Sequence, residues 1–554
     1  MLPTKECRTV FVRAKKKSES RWQVQVVSTD RSSGKPRQKI VKNIGSANSS
    51  EEKEALLELG RKAIIDIEND RNPVLPFADP EDFHTPKSRK PATNISLKTT
   101  KEEARINRGF EMVMKPLFND MDIDVGKGEV NETIGYLAMT RAFQPTSKLK
   151  AKQIISEQFQ KEIDLHKIYR CLDHLADNEE SIKKCIGRKT IDLFEDKVDV
   201  MFFDVTTLSF ESKDSDDLRN FGFSKDCKFN DVQVVLALVT TTEGMPITYK
   251  LFPGNKFEGH TLIPVIEELK RDFNIDNIIL AADRGMFSKD NLAALHNLNI
   301  KYVVGAKLKT LSKAKKESIL SDEDVIPCVV GKELLWTKEI EHNASDSHKR
   351  KLIVSYSSKR AKKDASDRNK LVDRLLKKAK DGKIGLDKLI SNAGTKKYIN
   401  SNGKNQVSIN YQKIEADSAW DGIHGLITNS DLSPQQVIDR YRGLWQIEDA
   451  FRVNKHDLKM RPIYHWNPKR IQGHICLCFI TYSLVKQVQF MLAKAGLKIS
   501  VKRFLEELQK IQASILLHQP TGRKYLMPSA LSETAKNIFD AFGIIPKTSV
   551  QPID

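Results

Sequence analysis

Two apolar runs, each closed by an aspartate, constrain the fold more than any other feature of the 554 residues. "VMFF" leads directly into Asp204, and "IILAA" leads directly into Asp283. Runs this short and this apolar read as strands buried on both faces, which requires a sheet covered by helices. Both acids then lie at the C-terminal ends of central strands and project from one sheet edge, where α/β sites form. Either one alone would read as a strand-end or helix-capping residue.

The neighbouring pattern supports a mixed α/β sheet. "VQVVLALVTTTEG" and "MPITYKLFPG" read as a hairpin, "TLIPVIEELKRDFN" as an amphipathic helix, and "KYVVGAKL" as one more strand. Upstream, residues 1–68 read as a small antiparallel sheet plus a helix, 69–100 as a Pro-rich linker, and 101–195 as helical throughout and a candidate DNA-binding domain. The core then divides into 196–309 and 416–495 around a basic insertion at 310–415, and 496–554 reads as a C-terminal helical tail.

The second half of the core contains a third acid. "YRGLWQIEDAFRVNKHDLKMRP", residues 441–462, has helical periodicity, with Leu444, Ile447, Phe451 and Leu458 on one arc. Tyr441, Glu448, Arg452 and Lys455 fall beside it. Glu448 there is either the i,i+4 partner of Arg452 or a cation ligand, with Arg452 and Lys455 gripping the phosphates on which the cation acts.

The charge balance favours the second role. Lys and Arg number 92 against 73 acids, a net +19 spread along the chain, so a polyanion such as nucleic acid is the natural partner. Three acids near phosphates need a cation to offset their repulsion. Mg²⁺ prefers such oxygen ligands, and paired ions activate a hydroxyl and stabilise a leaving oxygen. GxSxG, HExxH and GxxxxGK[ST] motifs are absent. The seven cysteines include no CxxC, which argues against zinc and disulfides and suits a reducing cytoplasm. The charged start does not read as a signal peptide, and no uninterrupted apolar run reaches the roughly 18 residues of a span. A soluble, intracellular protein with no membrane partner is expected.

"FFDVTTLSFES", "ADRGMFS" and "YRGLWQIEDAFRVNKHDLKMRPIYHW", with looser "GFSKD" and "FPGNKFEGHTL", resemble the DDE transposases of bacterial insertion sequences. The resemblance covers about 200–475 and implies an α/β ribonuclease H-like catalytic core. It assigns Asp204, Asp283 and Glu448 as catalytic residues and ligands of Mg²⁺ or Mn²⁺, two ions in all, with Tyr441 and Lys455 contacting DNA. The signature often has Arg three residues after the Tyr, where this chain has Leu444; Arg442 or Arg452 is the substitute. The clan's inserted region is often β-rich and sets an aromatic against a displaced base, for which Trp336 in "GKELLWTKEI" is the candidate; packing inside the insertion is the other reading. His260 reads as a helix-start residue near the site, and "RAKKDASDRNKLVDRLLKKAK" as a backbone-tracking or solvated face.

The resemblance implies an enzyme that binds double-stranded DNA at terminal inverted repeats, hydrolyses it at the element ends, and joins the 3′ hydroxyls to target DNA, at least as a homodimer in the bacterial cytoplasm. The alternatives are a structure-selective nuclease of the same fold and a catalytically silent DNA-binding protein.

Overall fold

The computed structural model describes residues 9–18, 21–30, 37–71, 99–123, 128–194, 200–211, 213–223, 230–273, 279–283, 285, 288–342, 349–380, 397–402 and 406–553. Most of the expected 69–100 linker lies outside them. The chain forms two compact units, Met1–Glu102 with Leu516–Asp554, and Glu103–Ile515.

In the first unit, Thr9–Ser18, Arg21–Asp30 and Arg37–Ala47 form an antiparallel meander. Val24, Val26 and Val27 are buried within it, and helix Ser50–Arg71 packs on all three strands. The C-terminal part is a correction to the helical tail: Arg523–Pro528 pairs antiparallel with Gln551–Ile553, with helix Glu533–Ala541 between them. "RKYLMP" buries only Tyr525, too little apolar surface to mark a strand by pattern alone.

The second unit is built on nine strands: β1 (Val200–Ser209), β2 (Gln233–Thr241), β3 (Pro246–Pro253), β4 (Ile279–Ala282), β5 (Lys301–Gly305), β6 (Ile326–Val330), β7 (Glu333–Glu341), β8 (Lys351–Tyr356) and β9 (Ile423–Thr428). They form one sheet in the order β6-β7-β8-β9-β5-β4-β1-β2-β3. β1, β4 and β5 run parallel, and the other pairings are antiparallel. The inserted strands therefore extend the core sheet and do not form a separate sheet. β9 follows the insertion in sequence yet bridges β8 to β5.

One face carries Met201, Phe203, Ala282 and Val304, and buries them beneath helices Leu262–Asp272 and Lys289–Asn297. The expected all-helical region 101–195 opens instead on a strand, Thr100–Asn107, despite its helix-forming Lys and Glu. Tertiary anchoring overrides propensity there: the Asn107 side-chain amide donates to the carbonyls of Leu508 (2.9 Å) and Gln509 (3.1 Å). The helices that follow pack around Pro468–Lys494. Among the described residues this is the one helix long and apolar enough to cross a membrane, but 83% of its apolar window is buried inside the protein. Close packing needs Gly473, whose added Cβ would lie 2.0 Å from the Leu172 carbonyl oxygen.

Candidate active site

Asp204 stands in the middle of β1, not at its tip; the strand continues to Ser209, paired with β2 throughout. The apolar run ended at Asp204 in the sequence, but the following "VTTLS" is β-branched enough to continue the strand. The β1–β4 ladder ends at Phe203 opposite Ala282, so Asp204 and Asp283 are the residues that follow that last pair, Asp204 still within β1 and Asp283 just past the end of β4. Side chains alternate along a strand, so Asp204 points away from Phe203 and its two helices, to the face of Phe202. It is half-buried, and its Oδ1 accepts from the Val205 amide at 2.7 Å. Asp283 is exposed.

The third acid reaches that same face by a broken path. Residues 441–462 are not one helix. Helix Pro434–Arg442, begun by a Ser433–Gln436 capping box, ends at Gly443. A second helix, Trp445–Arg452, carries Glu448, and a π-turn follows at Val453–Asp457. Gly443 keeps helical backbone angles (φ −67°, ψ −11°) and marks a close approach to β1. A Cβ there would lie 2.5 Å from the Phe202 ring, so only glycine lets the chain rest on β1 beside Asp204. The Glu448 helix packs on β1 and β2 through buried Ile447, Ala450 and Phe451, which leaves Glu448 exposed.

Arg452 is not the partner of Glu448. Its guanidinium pairs with Asp449 (2.9 Å) and Asp457 (3.1 Å), and among the described residues no ion pair involves Glu448. Arg442 is also engaged, with the Val330 carbonyl (3.0 Å) and Glu333 (2.8 Å) of the inserted strands. Tyr441 lies in the helix before the break, its ring 5.5 Å from that of His424. Lys455 lies in the π-turn, a feature common at functional sites.

Trp336 is not brought to the acids. The register passes from Phe203 through Ala282, Val304, Ile427 and Leu352 to Ile340, which places Trp336 on the face opposite Asp204. It is also five strands away, about 24 Å. At 45% exposure it is not a core residue of the insertion. His260 is exposed just before helix Leu262–Asp272, its ring 5.4 Å from Phe257. The basic helix Ser358–Lys380 is largely solvated, with Leu375 buried.

Asp204, Asp283 and Glu448 do not close to within 4.8 Å of one another. Among the described residues the acidic group that does is Glu180, Glu268 and Asp272. Those acids could hold an ion but are already matched by Lys183, Lys250, Lys184 and Arg271 at 2.7–3.7 Å. Their charge is neutralised, which marks an ion-pair network and leaves little for a metal.

The sequence reading missed Arg141. It is buried in helix Glu129–Phe143 and donates to the carbonyls of Leu458 (2.9 Å) and Lys459 (3.2 Å), where the Glu448 segment ends. The signal was an arginine inside the apolar run "IGYLAMTRAF".

Residues 197–484 match the family model described as the transposase DDE domain. That is just over half the chain, and the protein belongs to this family, the DDE transposases of insertion sequences. Its sheet is accordingly the ribonuclease H-like α/β fold, and the family implies DNA binding, nucleic-acid cleavage and divalent metal ions. No curated protein matches the chain.

Proposed function

We propose that the protein binds the terminal inverted repeats of its element, hydrolyses DNA at each end, and joins the freed 3′ hydroxyls to target DNA. The observation that carries this reading is the side-by-side placement of Asp204 and Asp283, with the Glu448 helix packed on the strand that bears Asp204.

The donor set suits Mg²⁺ or Mn²⁺, since all three residues offer hard carboxylate oxygens. Asp204, Asp283 and Glu448 would hold two such ions, which when bound supply a polarised nucleophile and stabilise the leaving oxygen. The chain's own part is to fix two acids by strand register and to carry the third on a helix seated by Gly443. Lys455 and Tyr441 contact DNA, and Arg452 does so from within its ion pairs. Trp336 stacks on DNA at the far end of the sheet, away from the reacting phosphate. Two ends processed together call for a homodimer, in the bacterial cytoplasm.

The test is incubation of the full chain with a labelled terminal-repeat duplex, Mg²⁺ and a plasmid. Joined product supports the proposal. Cutting without joining points to a structure-selective nuclease, and metal-independent binding without cutting to a silent DNA-binding protein.

A further inference from the structure

In the smaller unit, the meander of Thr9–Ser18, Arg21–Asp30 and Arg37–Ala47 packs one face against helix Ser50–Arg71. A Cβ on Gly60 of that helix would lie 2.7 Å from Val12, and a Cβ on Gly45 would lie 3.1 Å from Leu56 of the helix, so Val12, Gly45 and its partner Val24 face the helix. Alternation along the strands turns Arg13, Gln25 and Asn43, one register-matched row across the sheet, to the open face. Lys15 with Gln23, and Phe11 with Val27 and Ile40, flank that row.

The row is tied together. Arg13 donates to Gln25 (3.2 Å) and Gln38 (2.5 Å), and Gln25 donates to Asn43 (2.6 Å). The guanidinium is thereby held in one orientation, and each of its terminal nitrogens keeps a second N–H. Lys15, Gln38, Ile40 and Asn43 are exposed. The three strand segments hold eight Lys and Arg against one acid, whereas helix segment Ser50–Arg71 holds seven acids against four basic residues. Positive charge is concentrated in the sheet and negative charge in the helix behind it, so a polyanion is drawn to the open face.

A surface for phosphates alone needs only charge. Arg, Asn and Gln are the side chains that match guanine and adenine edges, and an apolar tip such as Ile40 suits a thymine methyl. The three strands span about 10 Å, close to the roughly 12 Å width of the B-DNA major groove.

We propose that this sheet face enters the major groove and reads base sequence, with Arg13, Gln38 and Asn43 on base edges and Lys15 on a phosphate. It rests on the proposed function only in taking the sequence read to be the terminal repeat.

The test is selection of duplexes from a random pool by the full chain, followed by affinity measurements on the enriched duplex and a scrambled copy. Asn43→Ala should weaken the enriched duplex by about 5–150-fold, the value of one paired base, and leave the scrambled copy within about twofold. Lys15→Ala should weaken both equally and lower the salt slope by about one. Methylating guanine N7, which blocks the major groove, should abolish the preference. Enrichment of no motif by the wild type, or an unchanged preference in both Asn43→Ala and Gln38→Ala, overturns the inference. The transposase reading fails separately, if the wild type binds the enriched duplex but never joins it to a plasmid.

Discussion

Glu448 separates chemistry from folding more cleanly than either aspartate, because it is exposed and its helix is held by Ile447, Ala450 and Phe451. Glu448→Gln should leave urea stability and terminal-repeat binding unchanged while cleavage falls by about 10²–10³-fold or more, the loss typical when one electrostatic group leaves an active site. Arg452→Ala should cost about 0.2–1 kcal/mol in urea unfolding, the range for exposed pairs, and lower the salt slope of DNA binding by about one if it also meets a phosphate. Lys183 behaves differently because it is buried. Burial pushes the Glu268 carboxyl up, but Lys183 and then Lys250 hold it below its ordinary 4.5. Its stabilisation is therefore complete above about pH 4.5 and is lost as pH falls through the lower folded value. Lys183→Met should cost about 3–5 kcal/mol at pH 7. As the pH is lowered from 7 to 5 the variant should recover part of its deficit relative to the wild type, because Glu268 without Lys183 takes up a proton more readily; urea titrations of both proteins at both pH values decide it. At this scale the three acids were legible as candidates, Asp204 and Asp283 because each closes an apolar run and Glu448 because it falls beside an apolar arc among basic residues. The partners of Arg452 were not, since Glu448 and Asp449 both lie within helical reach, and Asp457, five residues on, is brought to it only by the π-turn. Arg141 was also missed, because nothing near it in sequence announces the carbonyls of Leu458 and Lys459.

Between residues 434 and 458 the periodicity was legible and the breaks were not. Gly443 and Leu444 both keep helical backbone angles, so no strong breaker marks the change of helix there, and the approach of Gly443 to the ring of Phe202, distant in sequence, is not announced by local pattern. Gly443→Ala should therefore cost about 1–3 kcal/mol, as overpacking does, and should also move the Glu448 helix off β1. Cleavage should fall while binding persists, and Phe202→Leu in the same chain should recover both stability and activity. An alanine variant with unchanged melting and cleavage would show that the close approach does not seat the helix. The C-terminal strands were illegible for a related reason: Arg523–Pro528 and Gln551–Ile553 bury so little that long-range pairing, rather than local alternation, makes them strands.

Across the whole larger unit, the sequence suggested a core with a separable insertion, but pairing joins them. The core strands β1 to β5 were legible from apolar runs and turns, whereas the role of β9 was not, because a strand's neighbours are not encoded in its own pattern. β9 pairs with β5 on one side and β8 on the other, and Leu352 of β8, fully buried, packs with Leu308 just after β5 and with Ile427 of β9. A defect in β8 should therefore propagate into the catalytic strands. Leu352→Ala should cost about 2–5 kcal/mol, as buried leucine truncations do, with unfolding still a single transition. Hydrogen exchange measured by mass spectrometry should quicken in Lys301–Gly305 and Val200–Ser209 as well as in β7 and β8, because opening free energies are shared within one cooperative sheet. Faster exchange confined to residues 326–356 would mean that the insertion folds independently and that the continuous sheet does not couple it to Asp204 and Asp283.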